Sequence, residues 1–143
     1  MRVLLDTNVL VSTAIKPAGK PAQIFQQADI RYALVCTEHV LDELADVLGR
    51  PHLQKNYSDL VAAGRREQFI AVVRSLADMV EPQTTLAAVS DPDDNHILAG
   101  AVEGRADFLV TGDPHLLKLR AYDRCKIVSP DQFLSVLREN QSD

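Results

Sequence analysis

A chain of 143 residues, 46% hydrophobic and 24% charged, is expected to form one globular domain over residues 1–143. A net charge of −5 disfavours passive nucleic-acid binding, although carboxylates committed to cations would not count as bare charge. No apolar run approaches the ~20 residues of a membrane span.

The N-terminal apolar stretch is interrupted by Asp6 and Asn8, unlike a signal peptide. Cys36 and Cys125 each lie in or beside strand-like runs, which suits reduced thiols in a cytoplasmic protein. Arg2 to Leu5 reads as a short buried strand that ends on Asp6. Asn8 to Val11 fits a short helix, and Lys16 to Lys20 is a loop. Pro21 suits the first turn of the next helix, with Ile24, Phe25 and Ala28 on one face, before a second strand over Tyr32 to Cys36.

Thr37 is a good N-cap for a helix whose apolar stripe is Val40, Leu41, Leu44, Val47 and Leu48. Glu43 borders that stripe, whereas Asp42 and Asp46 turn towards water. Gly49, Arg50 and Pro51 are expected to stop this helix. A long helical pattern follows from Ser58 to Met79, with Gly64 as a candidate break, and Met79-Val80 reads as a short strand.

Asp91 then caps a helix that opens on Pro92 and buries Ile97, Leu98, Ala101 and Val102. Asp94 projects on the same side as that buried face. Phe108 to Val110 forms a strand that runs into Thr111-Gly112-Asp113, and Cys125 to Val128 forms the last strand. A final helix runs from Pro130 through Leu137, with Glu139 to Asp143 as a frayed tail. This alternation predicts a three-layer α/β fold with a central, mainly parallel sheet of four or five strands flanked by helices.

Four carboxylates stand where the pattern aims inward: Asp6, Glu43, Asp94 and Asp113. Each has a plainer use of its own. Asp6 can cap a helix, Asp94 can complement a helix dipole, Asp113 can serve a turn, and Glu43 can be a solvated helix acid. The four together are harder to explain in that way, because crowded carboxylates near a buried face repel and resist desolvation.

A cation resolves the conflict, and an all-oxygen donor set favours Mg²⁺ or Mn²⁺ over zinc. Such an ion can activate water and offset charge on a phosphodiester during displacement. Thr7, Asn8 and Thr111 are placed to orient the ligands, with Asp91 a further candidate helper. The four histidines show no shared metal-binding spacing. His39 and Glu43 are four apart, but no His-Glu-x-x-His pattern exists.

Val-Leu-Leu-Asp-Thr-Asn at residues 3 to 8 resembles the opening signature of the PIN-domain (PilT N-terminus) family. Thr37-x-x-Val-Leu-x-Glu-Leu, Asp94-x-x-Ile-Leu-Ala and Val110-Thr-Gly-Asp resemble its later motifs, in order, over nearly the whole chain. The likeness is greatest to the VapC-like toxin components of toxin–antitoxin pairs. It implies a Mg²⁺- or Mn²⁺-dependent ribonuclease acting on RNA, commonly a homodimer, restrained by a small antitoxin protein. Asp6, Glu43, Asp94 and Asp113 would be its catalytic metal ligands. Where many members carry a further acid after the third motif's Asp, this chain has Asn95.

Two rivals differ in class. A haloacid dehalogenase-like phosphatase also opens with a strand ending on Asp, but it needs a second Asp where this chain has Asn8. A PIN fold kept as an RNA- or protein-binding module would be marked by loss of acids, and all four are present.

Overall fold

Three consecutive apolar residues, Val3, Leu4 and Leu5, form the middle of the sheet and are buried on both of its faces. The computed structural model describes residues 1–140. Strand β1 (Arg2–Leu5) pairs in parallel with β2 (Ala33–Cys36) on one side and β4 (Phe108–Val110) on the other. Two-residue β3 (Asp78–Met79) extends the sheet beyond β2, and β6 (Cys125–Val128) extends it beyond β4, both in parallel. β5 (Ala121–Tyr122) adds an antiparallel edge, so the order is β3-β2-β1-β4-β6-β5.

Six strands thus replace the expected four or five. β5 pairs through a two-residue turn that lacks the usual glycine, with Asp123 at φ 55°. The expected short strand at Met79-Val80 is present as β3, one residue earlier. A two-residue strand has no room for a period, so β5 left no signal in the sequence.

Register shows the layers. Leu4 and Val35 are partners and share a face, which meets α7 (Pro92–Glu103). Val3 and Phe108 share the opposite face, where the Phe108 ring lies 5.5 Å from Phe133 of α9 (Pro130–Asn140). Gly100 and Gly104 let α7 approach the sheet closely. A Cβ on Gly100 would lie 2.8 Å from Thr37 Cγ2, and one on Gly104 2.6 Å from Val35 Cγ1. That proximity outweighs the ~1 kcal/mol cost of glycine inside a helix.

The remaining helices depart from expectation mainly at their ends. α1 (Thr7–Ile15) is longer than Asn8 to Val11 and is capped by Asp6. It packs on α2 (Lys20–Phe25) and α3 (Glu38–Leu48). Thr37 Oγ1 accepts the Val40 N–H at 3.2 Å and so caps α3. α3 stops at Gly49 as expected, and Pro51 then opens a separate helix, α4 (Pro51–Asn56), because a first-turn proline lacks only an N–H that would have been unpaired.

The expected long helix is split into α5 (Ser58–Val61) and α6 (Ala63–Leu76). The break is the extended residue Ala62, with ψ 148°, and Gly64 lies within α6. α8 (Pro114–Leu117) follows Asp113 directly. α9 continues through Asn140, so Glu139 is helical rather than frayed, and the rest of the expected tail lies outside the described residues. Cys36 and Cys125 are free, buried thiols, and burial pushes both up to about 12. Among the described residues no helix is long and apolar enough to cross a membrane.

Candidate metal centre

The chain leaves β1 for β2 on one side and returns through β4 on the other, so the β1/β4 boundary is the sheet's switch point. Ligand sites of parallel α/β sheets form beyond the strand carboxyl ends at such a point. Both strands deliver an acid there. The Asp6 N–H still donates to Val110 O at 3.0 Å and the Thr111 N–H to Val128 O at 2.9 Å, so the sheet ladder fixes the first residues of both turns.

Asp6 is 7% exposed, and both of its oxygens are engaged. Oδ1 accepts the Thr7 N–H at 2.7 Å and Oδ2 accepts the Thr111 hydroxyl at 2.6 Å. Thr111 Oγ1 in turn accepts the Asp113 N–H at 3.0 Å, which ties the two strand ends together. The Thr7 hydroxyl donates to Glu43 Oε2 at 2.8 Å, so α3 is joined to the same cluster. Asp113 caps α8 by accepting the His115 N–H at 2.9 Å. Thr7 and Thr111 therefore orient acids on three elements.

Asp94 enters from the first turn of α7 and is 9% exposed. Burial, a hydrogen bond with Asp113 that favours the protonated form, and the charges of Asp113, Asp91 and Asp6 raise its pKa to about 7. Burial also pushes Asp6 above the usual carboxylate range, helped by Glu43 and Asp113 and opposed by its hydrogen bonds to Thr111 and Thr7. A divalent cation among these groups would remove that repulsion, and the all-oxygen donor set suits a hard ion. The residues therefore fit the expected metal.

A cleft of about 580 Å³ opens here, and Asp6, Thr7, Asn8, Glu43, Asp91, Asp94 and Asp113 all line it. Asn8 is exposed on its wall. Asp91 caps α7 by accepting the Asp93 N–H at 2.9 Å, and its charge reaches Asp94. Thr111 stands behind Asp6, fully buried. Asn95, at the place of a further acid in many relatives, clamps Val89 instead: its Oδ1 accepts the Val89 N–H and its Nδ2 donates to Val89 O. It supports the loop before α7 and does not line the cleft.

The rim holds groups that sequence spacing did not single out. His39 Nε2 lies 3.2 Å from Asp93 Oδ1 and 3.6 Å from Glu43 Oε1, and its ring centroid is 4.1 Å from that of His96. Asp93, in the first turn of α7, faces this imidazole. Asp42 and Asp46 are exposed as expected but still line the cleft's rim, where Arg50 bonds Asp46 at 3.3 Å. The α3–α7 contact that makes the His39 cluster leaves no trace in local sequence.

Comparison with known proteins agrees with this geometry. The profile of the PIN domain family matches residues 2–115. Uncharacterized protein MJ1680 of Methanocaldococcus jannaschii is 26% identical over 146 residues, covering 94% of this chain and 90% of that protein. Among solved structures, VapBC2 from Rickettsia felis, bound to a DNA fragment from the promoter, superposes with a TM-score of 0.61. That match has 14% identity and covers 90% of this chain and 98% of that one, a likeness of fold. With its profile matched across most of the sequence and its acids gathered at the sheet's switch point, this chain belongs to the PIN domain family.

Proposed function

We propose that this protein is a metal-dependent endoribonuclease and the toxin of a toxin–antitoxin pair. The observation that carries the reading is the convergence of Asp6, Glu43, Asp94 and Asp113 on one cleft, where two of the acids are held above their ordinary pKa range. PIN domains are in general nucleases, and a structural neighbour of this chain comes from a VapBC complex.

Asp6, Asp94 and Asp113 would hold one Mg²⁺ or Mn²⁺ ion, with Glu43 completing the site or positioning a second ion and the attacking water. When bound, the ion supplies water activation and charge stabilisation at the phosphoryl oxygens. Thr111 and Thr7 keep Asp6 and Glu43 in fixed orientations, so little reorganisation accompanies reaction. Asn8, exposed on the cleft wall, is free to contact the RNA backbone.

A small antitoxin, a homodimeric state and a cytoplasmic location complete the proposal by family analogy. Cleavage of labelled single-stranded RNA, beside DNA of the same sequence, tests the activity. Metal-dependent cuts in RNA support the reading. Folded protein that binds RNA in both metals, yet leaves a panel of cellular RNAs uncut, favours a binding module instead.

A further inference from the structure

We propose that His39, Glu43 and Asp93 form a second cation site at the rim of the cleft, one that takes a transition metal such as Zn²⁺ in preference to Mg²⁺. One donor atom from each residue lies within 4.8 Å of the others. The two edges that meet at His39 Nε2 measure 3.2 Å and 3.6 Å. Donors about 2.1 Å from a tetrahedral ion stand about 3.4 Å apart, so these edges already have the length that such an ion needs.

Hydrogen bonding alone does not account for the arrangement. Nε2 carries at most one hydrogen, and Asp93 Oδ1 at 3.2 Å is placed to accept it. Glu43 Oε1 nevertheless turns to the same nitrogen, although its sister oxygen is already bonded to the Thr7 hydroxyl. Two carboxylate oxygens therefore converge on one imidazole nitrogen.

The elements hold this geometry from both sides. His39 and Glu43 are one turn apart on α3, and Asp93 lies in the first turn of α7. The His96 ring of α7 lies against the imidazole, with centroids 4.1 Å apart and planes tilted by 41°.

An imidazole with two carboxylates suits ions of the zinc group, whereas the inner cluster of oxygen donors suits Mg²⁺. Three protein donors leave the fourth position of a tetrahedral ion to water or to a phosphate oxygen entering the cleft. Glu43 is shared, with Oε2 tied to the inner cluster and Oε1 facing the rim. The site deepens the metal-dependent reading but does not rest on RNA cleavage, so its test is read in metal uptake.

The experiment is calorimetric titration of the purified protein with Zn²⁺ in excess Mg²⁺, with the imidazole NMR resonances followed in parallel. The expected result is uptake of one Zn²⁺ per chain with a shift of the His39 ring signals. That equivalent is lost in His39→Gln and in Asp93→Asn, and it is kept in Asp113→Asn. Zn²⁺ uptake in folded His39→Gln equal to that of the wild type would overturn the proposal, as would absence of uptake by the wild type. Loss of ribonuclease activity in Asp113→Asn with Zn²⁺ uptake intact would separate this site from the inner one.

Discussion

Acids stand at both ends of the parallel sheet, and the two ends treat them in opposite ways. At the amino end, Asp78 meets the Arg2 guanidinium at 2.7 Å, and Asp107 accepts the Arg2 N–H at 2.8 Å. The Arg2 Nε also donates to Gly104 O, so one arginine stitches β1 to its neighbours. At the carboxyl end, Asp6 and Asp113 have hydroxyls, amides and other acids as partners. A charge that serves the fold is matched within the chain, whereas the carboxyl-end acids are oriented by hydrogen bonds and, on the function proposed above, matched by a bound cation.

The largest expected effect lies at the unmatched end. Asp6→Asn and Asp113→Asn should each lower RNA cleavage by about 100-fold or more, since a catalytic ion supplies several kcal/mol of charge stabilisation. The loss of one of several repelling charges should leave metal-free thermal stability unchanged or raised. A variant that unfolds would show instead that these acids serve the fold, and the contrast between the two ends would collapse.

Packing above the site comes next. Gly100→Ala places a methyl group 2.8 Å from Thr37 Cγ2 and so pushes α7 away from the sheet. Overpacking of this kind should cost about 1–3 kcal/mol in urea denaturation. No loss would mean that α7 can shift freely, in which case the position of Asp94 is less fixed than described.

Asp94 keeps its proton up to about pH 7 in the folded chain but has an ordinary value of 3.8 when unfolded. The folded state therefore binds more protons between these values. In EDTA, stability should fall as pH rises from about 4 to 7 and level off above. Asp94→Asn should flatten that fall, and Mn²⁺ should restore stability at the upper end. A melting temperature that rises through this window would contradict the assignment.

The smallest effect belongs to the matched end. Arg2→Met breaks a half-exposed ion pair and the Nε–H bond to Gly104 O, together worth about 1–2 kcal/mol, and should leave RNA cleavage intact. A large loss of cleavage would mean that the two ends are coupled through β1.

The acids of the inner site could be read from sequence because each follows an apolar strand or opens a helix, positions where local pattern fixes direction. Glu43 was harder, and only its offset from the Val40 and Val47 stripe distinguished it from Asp42 and Asp46. His39 and Asp93 were illegible, since their meeting depends on how α3 and α7 cross. Asn95 looked like a missing ligand but proved to be a clamp on Val89. The α/β order was clear from alternating patterns, while Ala62 broke a helix without any breaker residue and the two-residue edge strand β5 carried no period.

The most direct test of the account is a crystal of the protein grown with Mn²⁺, with anomalous scattering recorded near the manganese edge. A peak enclosed by the carboxylates of Asp6, Asp94 and Asp113 is expected. Saturating Mn²⁺ with no peak among those three side chains would contradict the account, and the acids at the carboxyl end of the sheet would then need another explanation.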